Sequence, residues 1–206
     1  MHHAVSPQDG NLFIESTPLS AIAAEFGTPC YVYSKAALSN NFLAYQSALA
    51  DKEHLICYAV KANSNIAVLQ TLAQLGAGFD IVSIGELERV LRAGGDPAKV
   101  VFSGVAKTAG EMQRALELGI HCFNVESEAE LELLNSTAAS CGAIAAVSLR
   151  VNPDVDAQTH EKISTGRKED KFGVDIDLAP ELFQRATSMA GIDPVGLAVH
   201  IGSQLT

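Results

Sequence analysis

The chain has 206 residues, 48% of them hydrophobic, which is enough for a sizeable core in one domain. A formal charge of −10 excludes the basic stripe that a nucleic-acid surface needs, although a few backbone amides can still hold one phosphorylated small ligand. The start, "MHHAVSPQDG", lacks the basic and apolar segments of a signal peptide, and no apolar run approaches the ~20 residues of a membrane helix, so a cytoplasmic protein without a membrane partner is expected.

The first segment, 1–35, contains "GNLFIESTPLSAIAAEFGTPCYVYS". It reads as a short strand, a helix and a second strand-like run, punctuated by prolines. It suits a lid over the bottom of the following domain or a part of a separate one. From residue 54 a rhythm begins. Apolar, β-rich runs occur at "HLICYAVK" (54–61), "FDIVS" (79–83), "KVVFSG" (99–104), "HCFNVE" (121–126), "AAVSLRVN" (145–152) and "GLAVHIGS" (196–203). Segments of helical period separate them, such as "IAVLQTLAQLG", "GELERVLRAGG" and "AGEMQRALELG", each stopped by glycine as a helix C-terminus requires. Asn63, Ser64 and Asn65 read as a turn and an N-cap, and Ser83 with Glu86, Thr108 with Glu111 and Ser127 with Glu130 have the capping-box spacing.

Alternating strands and helices predict βαβ units and a parallel sheet. The even repeat of about 20 residues favours a closed (β/α)8 barrel of the TIM type over an open sheet. A whole barrel takes roughly 250 residues. Residues 36–206 therefore give room for six strands, and the chain is expected to stop in mid-barrel. After the fifth strand, "PDVDAQTHEKISTGRKEDKFG" (153–173) breaks the rhythm, and a long polar loop there is expected at the barrel mouth.

Polar residues end the strands: Lys61, Asp80 and Ser83, Ser103, Glu126, Arg150 and Asn152, His200 and Ser203. Singly, each has an ordinary reading. Lys61 could snorkel to water, His200 could be a bonded core histidine, and Glu86 could serve only as the cap partner of Ser83. Gathered at one mouth, they are costly to desolvate unless they serve each other or a ligand. A lysine there, lowered by burial against Val60 and Ala62 or by Arg150, can attack a carbonyl to form a Schiff base. Pyridoxal 5′-phosphate is the obvious carbonyl partner. Cys30, Cys57, Cys122 and Cys141 have no zinc spacing, and the histidines have none either, so reduced thiols and no metal are expected.

"YAVKAN", "GFDIVSIGELE", "SLRVNP", "KFG" and "HIGSQ", in this order, resemble the alanine-racemase-like, or group III, pyridoxal-phosphate decarboxylases. The resemblance covers nearly the whole chain but about the N-terminal half of such an enzyme. It implies that Lys61 carries the cofactor, that His200 stacks on its ring and that Ser203 contacts its phosphate. It implies that Asp80 and Arg150 belong to the surrounding polar network, with Glu86 a weaker member. It further implies that 1–35 joins a second, β-rich domain. The glycine-rich phosphate loop, the acidic partner of the pyridine nitrogen and a dimer-completing region are expected in later sequence. "GTPCYVYS", "STGRKEDKFG" and "HIGSQLT" favour the member acting on meso-diaminopimelate to give L-lysine, as a homodimer. Decarboxylation of ornithine or arginine, or cofactor binding without catalysis, are the competing expectations.

Overall fold

The structure, a computed structural model, describes residues 4–8, 10–155 and 172–202. A small antiparallel sheet comes first, made of β1 (Val5–Gln8), β2 (Asn11–Ile14) and β3 (Thr17–Pro18), and it leads into helix α1 (Leu19–Phe26). The strand-like run expected at 30–34 forms no strand. Pro29 has no N–H to give a ladder, and Tyr31 and Tyr33 are exposed. Helix α2 (Lys35–Ala48), which the sequence rhythm did not announce, starts at the Ser34 N-cap. Glu15 ties the small sheet to it, accepting from the Ser34 hydroxyl at 2.7 Å and from the Ala36 N–H at 2.8 Å.

The barrel strands follow: β4 (Cys57–Ala59), β5 (Gly78–Ile81), β6 (Val100–Phe102), β7 (Cys122–Val125), β8 (Ala145–Asn152), the two-residue β9 (Val174–Asp175) and β10 (Ile192–Ala198). They pair in parallel in the order β10-β8-β7-β6-β5-β4, with β9 attached to β8. Six sequence-ordered parallel strands with intervening helices make a TIM-barrel-like α/β fold, as expected. Helices α3 (Ile66–Gln74), α4 (Ile84–Arg92), α5 (Ala109–Leu118), α6 (Glu128–Cys141) and α7 (Ala179–Thr187) cover the outer face.

Boundaries differ most from expectation at two strands. β4 is shorter, because Lys61 lies in a 3-10 turn, Val60–Ala62, just beyond it. β10 starts four residues before "GLAVHIGS", and a register shift between Pro194 and Gly196 lets the sheet accept a proline that cannot donate. Helix starts follow the sequence closely. Thr108 and Glu111 form a reciprocal capping box, with an N-cap φ of −92°. At Ser83 and Ser127 the N-cap is more extended, φ −157°, and the carboxylate of Glu86 or Glu130 takes the preceding N–H instead, from Val82 or Glu126.

The strand period of two divides the side chains. Phe79, Ile81, Phe102, Phe123 and Leu149 turn outward into a fully buried layer with the helices. The expected mouth loop falls mostly on 156–171, outside the described residues. Its described ends meet at the end of β8, where Asn152 pairs with Asp175. Among the described residues no helix is long and apolar enough to cross a membrane.

Gly78 shows how tightly strand β5 is placed. A Cβ there would lie 2.6 Å from the Lys99 carbonyl and 2.8 Å from the Cys57 sulfur. Gly78→Ala should therefore cost about 1–3 kcal/mol of stability by overpacking. Denaturant unfolding checks this, and an unchanged midpoint would show that the strand can shift.

Candidate active site

Register carries the site. Ala59 pairs with Asp80, Asp80 with Val101, Val101 with Cys122, Asn124 with Ser148 and Arg150 with Ala198. Since Phe79 and Ile81 face the helices, Asp80 faces the opposite way. The same alternation turns Ser103, Asn124 and Arg150 inward. A cavity of about 570 Å³ lies on this face, and Lys61, Asp80, Ser103, Asn124, Arg150 and His200 line it. Its walls come from both ends of the strand order, β4 and the end of β10. In a flat sheet those strands would stand ~24 Å apart, five spacings of ~4.8 Å. Their meeting around one cavity shows the sheet curled as in a barrel.

A relay crosses the cavity wall. Asn124 Nδ2 donates to Ser103 Oγ at 2.9 Å, and Ser103 Oγ donates to Asp80 Oδ1 at 2.5 Å. Burial raises the Asp80 carboxyl above its ordinary range, outweighing the Ser103 bond and the nearby Lys61, His200 and Arg150 side chains, which pull it down. Burial also lowers the His200 imidazole, helped by the positive charges of Arg150 and Lys61 and opposed by Asp80 and Glu126. His200 is thereby biased toward its neutral form. The Cys57 and Cys122 thiols are pushed up to about 11, first by burial and then by Asp80, so neither is a ready thiolate.

Arg150 is anchored from behind. Its Nη1 donates to Glu126 Oε2 at 2.8 Å, and its guanidinium lies 5.2 Å from the centre of the Phe172 ring. Deeper still, the Lys107 ammonium is fully buried, within 2.6 Å of Glu130 and bonded to the carbonyls of Gly104 and Asn124.

Of the residues singled out in the sequence, the structure brings together Lys61, Asp80, Ser103, Arg150 and His200. Lys61 is exposed along with Ala62, so of the two neighbours expected to desolvate it only Val60 is buried. Glu86 does not line the cavity; its carboxylate serves helix α4 through Val82. Ser83 caps the same helix. Ser203 lies outside the described residues. Asn124 was missed, although a polar residue at an inward position of "HCFNVE" was a readable signal. Lys107 gave no local signal, because its partners come from β7, α6 and a backbone turn. Among the described residues, no cluster of metal-ligating side chains occurs.

A curled parallel barrel with an amine, a carboxylate, a guanidinium and an imidazole at its strand ends defines a barrel domain built to bind a small molecule at its mouth. Residues 35–206 match the family described as pyridoxal-dependent decarboxylase, pyridoxal binding domain, and the chain belongs to that family. Pyridoxal 5′-phosphate is the cofactor this membership brings. Among its relatives, the diaminopimelate decarboxylases of Pseudomonas aeruginosa and Vibrio cholerae are 62% and 58% identical over 98% and 97% of this chain. The chain spans about half the length of these curated relatives, 48% in each case. A solved diaminopimelate decarboxylase from M. jannaschii, in co-complex with L-lysine, superposes with a TM-score of 0.91 at 41% identity, over 98% of this chain and 48% of that one. The Helicobacter pylori enzyme complexed with L-lysine gives 0.85 at 46% identity, over 89% of this chain and 48% of that one.

The raised Asp80 carboxyl has a consequence for stability. Its folded-state affinity for a proton exceeds that of the unfolded chain, so ionised Asp80 disfavours the fold at any pH above both values. Asp80→Asn removes that penalty and keeps an acceptor for Ser103. The variant without ligand should melt higher than wild type near pH ~7, and the gain should vanish as pH falls below the usual aspartate value of ~3.9. Melting curves across pH test this, and a lower melting point at neutral pH would contradict it.

Proposed function

We propose that the protein containing this chain decarboxylates meso-diaminopimelate to L-lysine, the last step of lysine biosynthesis, with pyridoxal 5′-phosphate at the mouth cavity. The convergence of Lys61, Asp80, Arg150 and His200 on one cavity, in a chain of this family, carries the reading. The residues fit the cofactor. The cavity, about 570 Å³, is of ligand size, and small side chains at Ala59 and Ala198 leave room for a flat ring. The Lys61 amine is exposed to it and can attach the aldehyde covalently. When bound, the cofactor supplies an electron sink for the pair left behind as carbon dioxide departs.

This chain's residues hold and tune that group. The neutral-leaning His200 imidazole offers its face to the ring, and a neutral face stacks without repelling a pyridinium. Asp80, fixed by Ser103, sets a negative charge between Lys61 and Arg150. Arg150, fixed by Glu126, adds a positive charge at the mouth, suited to a carboxylate or phosphate. Ser203 belongs with the phosphate contacts on the strength of the resemblance alone. Glu86 acts only indirectly, by holding the start of α4 next to β5.

We assign residues 1–35 to a second, β-rich domain. Leu12, Phe26 and Tyr31 are exposed and offer an apolar face for it to cover. The working form is a homodimer in the cytoplasm, with further site residues supplied from outside this chain. A decarboxylase of ornithine or arginine is the neighbouring reading.

Borohydride reduction of the full-length protein with its cofactor, followed by peptide mapping, should place the pyridoxyl group on Lys61; a label on another lysine overturns the assignment. Carbon dioxide release should be fastest from meso-diaminopimelate, and faster release from ornithine or arginine would move the substrate. Loss of a stacked ring in His200→Ala should weaken cofactor binding about three- to tenfold. Unchanged affinity and turnover would make His200 a purely structural residue.

A further inference from the structure

Glu126 directly follows strand β7 yet takes no part in the cavity wall, and both its oxygens are committed. Its side chain is 2% exposed and that of its partner Arg150 is 12% exposed. Oε2 accepts from Arg150 at 2.8 Å, and Oε1 accepts from the Gly104 N–H at 3.0 Å. Its own N–H donates to Glu130 Oε2 at 3.0 Å. Glu130 Oε1 receives the Lys107 ammonium at 2.6 Å, and the same ammonium donates to the Gly104 carbonyl at 2.6 Å. These bonds close a ring: Glu126, Gly104, Lys107, Glu130 and back to Glu126.

We propose that Glu126 is a positioning residue of the candidate active site, which holds the Arg150 guanidinium at the cavity mouth and is itself held by the closed ring through Gly104, Lys107 and Glu130. The inference rests on the cofactor reading given above and extends it to a residue behind the site. Three features carry it. The charges balance, two carboxylates against one ammonium and one guanidinium, so the ring and Arg150 form a self-compensated unit. Gly104 directly follows Ser103, the donor to Asp80, so the ring also fixes the backbone beside that relay. Arg150 has a π contact with Phe172 on its other side. Glu126 thus supplies its charge-matched hold from the rear, and loss of a hydrogen bond to a charged group commonly matters about ten- to hundredfold.

A double-mutant cycle in the full-length protein tests this. Glu126→Gln keeps an acceptor for Gly104 and removes the charge facing Arg150. Alone, it should weaken cofactor binding and lower kcat/KM by about tenfold or more. In an Arg150→Met background the same exchange should change either quantity less than about twofold, since a residue that acts through Arg150 has nothing left to act on. Equal losses in both backgrounds, or none in either, overturn the proposal. Should the glutamine variant fold poorly, Glu126→Asp keeps the charge, draws it back by one methylene, and should show the same non-additivity. Crystal structures of the variants give a readout independent of the cofactor: the guanidinium should leave its place while Lys61 and Asp80 stay. A wild-type protein without cofactor on Lys61 would sink the functional reading and leave this displacement as the deciding observation.

Discussion

The structure depends on one constraint: in a parallel ladder, side chains alternate, and register aligns the alternation across every strand. Asp80 faces inward because Phe79 and Ile81 must face the helices. Slipping β5 by one residue would put a carboxylate among Leu87 and Val90 and carry Phe79 into the cavity. The outer core therefore fixes the site. Phe102 and Phe123, stacked at 6.0 Å on the helix side, hold β6 and β7 so that Ser103 and Asn124 fall in line with Asp80 on the other side. Packing energy on one face is converted into position on the other.

Placing so many polar groups inside a barrel is tolerable only because they are partnered, and the two carboxylates are partnered differently. Glu126 meets a guanidinium at 2.8 Å and a backbone N–H at 3.0 Å, so both its oxygens are bonded. Asp80 meets a neutral hydroxyl at close range and two more distant cations, Lys61 and Arg150, and burial still prevails. One acid is thus locked into a structural pair, while the other is left responsive to whatever charge enters the cavity. The buried Lys107 follows the first pattern, with its hydrogen-bonding capacity spent on two carbonyls and Glu130.

How much of this was legible follows from the range of each interaction. Thr108 with Glu111 and the glycine after α5 act within one turn of chain, so the helix ends could be read directly. The barrel strands were readable because both faces of a covered parallel sheet leave an apolar run. Lys61, Asp80, Arg150 and His200 could be collected because each falls at or just beyond a strand end. The strand-like "CYVYS" misled because its aromatic and β-branched content fits a strand, while pairing depends on a neighbour that local sequence does not provide. Glu86 could not be separated from the site by spacing, since a cap partner and a wall residue occupy the same position until the direction of the side chain is known. Lys107 was illegible for the opposite reason: its three partners are spread over 3, 17 and 23 residues of sequence separation.

The placement of the groups also separates them by how firmly they are held. Asp80 and Arg150 belong to strands β5 and β8 and share the rigidity of the ladder, with Ser103 and Glu126 behind them. Lys61 sits in a 3-10 turn beyond β4, and His200 lies two residues past the end of β10. Asp80 and Arg150 are therefore fixed by main-chain hydrogen bonds, while the two side chains that we propose hold the cofactor stand one step outside the ladder. On the proposed reading, such a division would let Lys61 hold the cofactor without the ladder having to move.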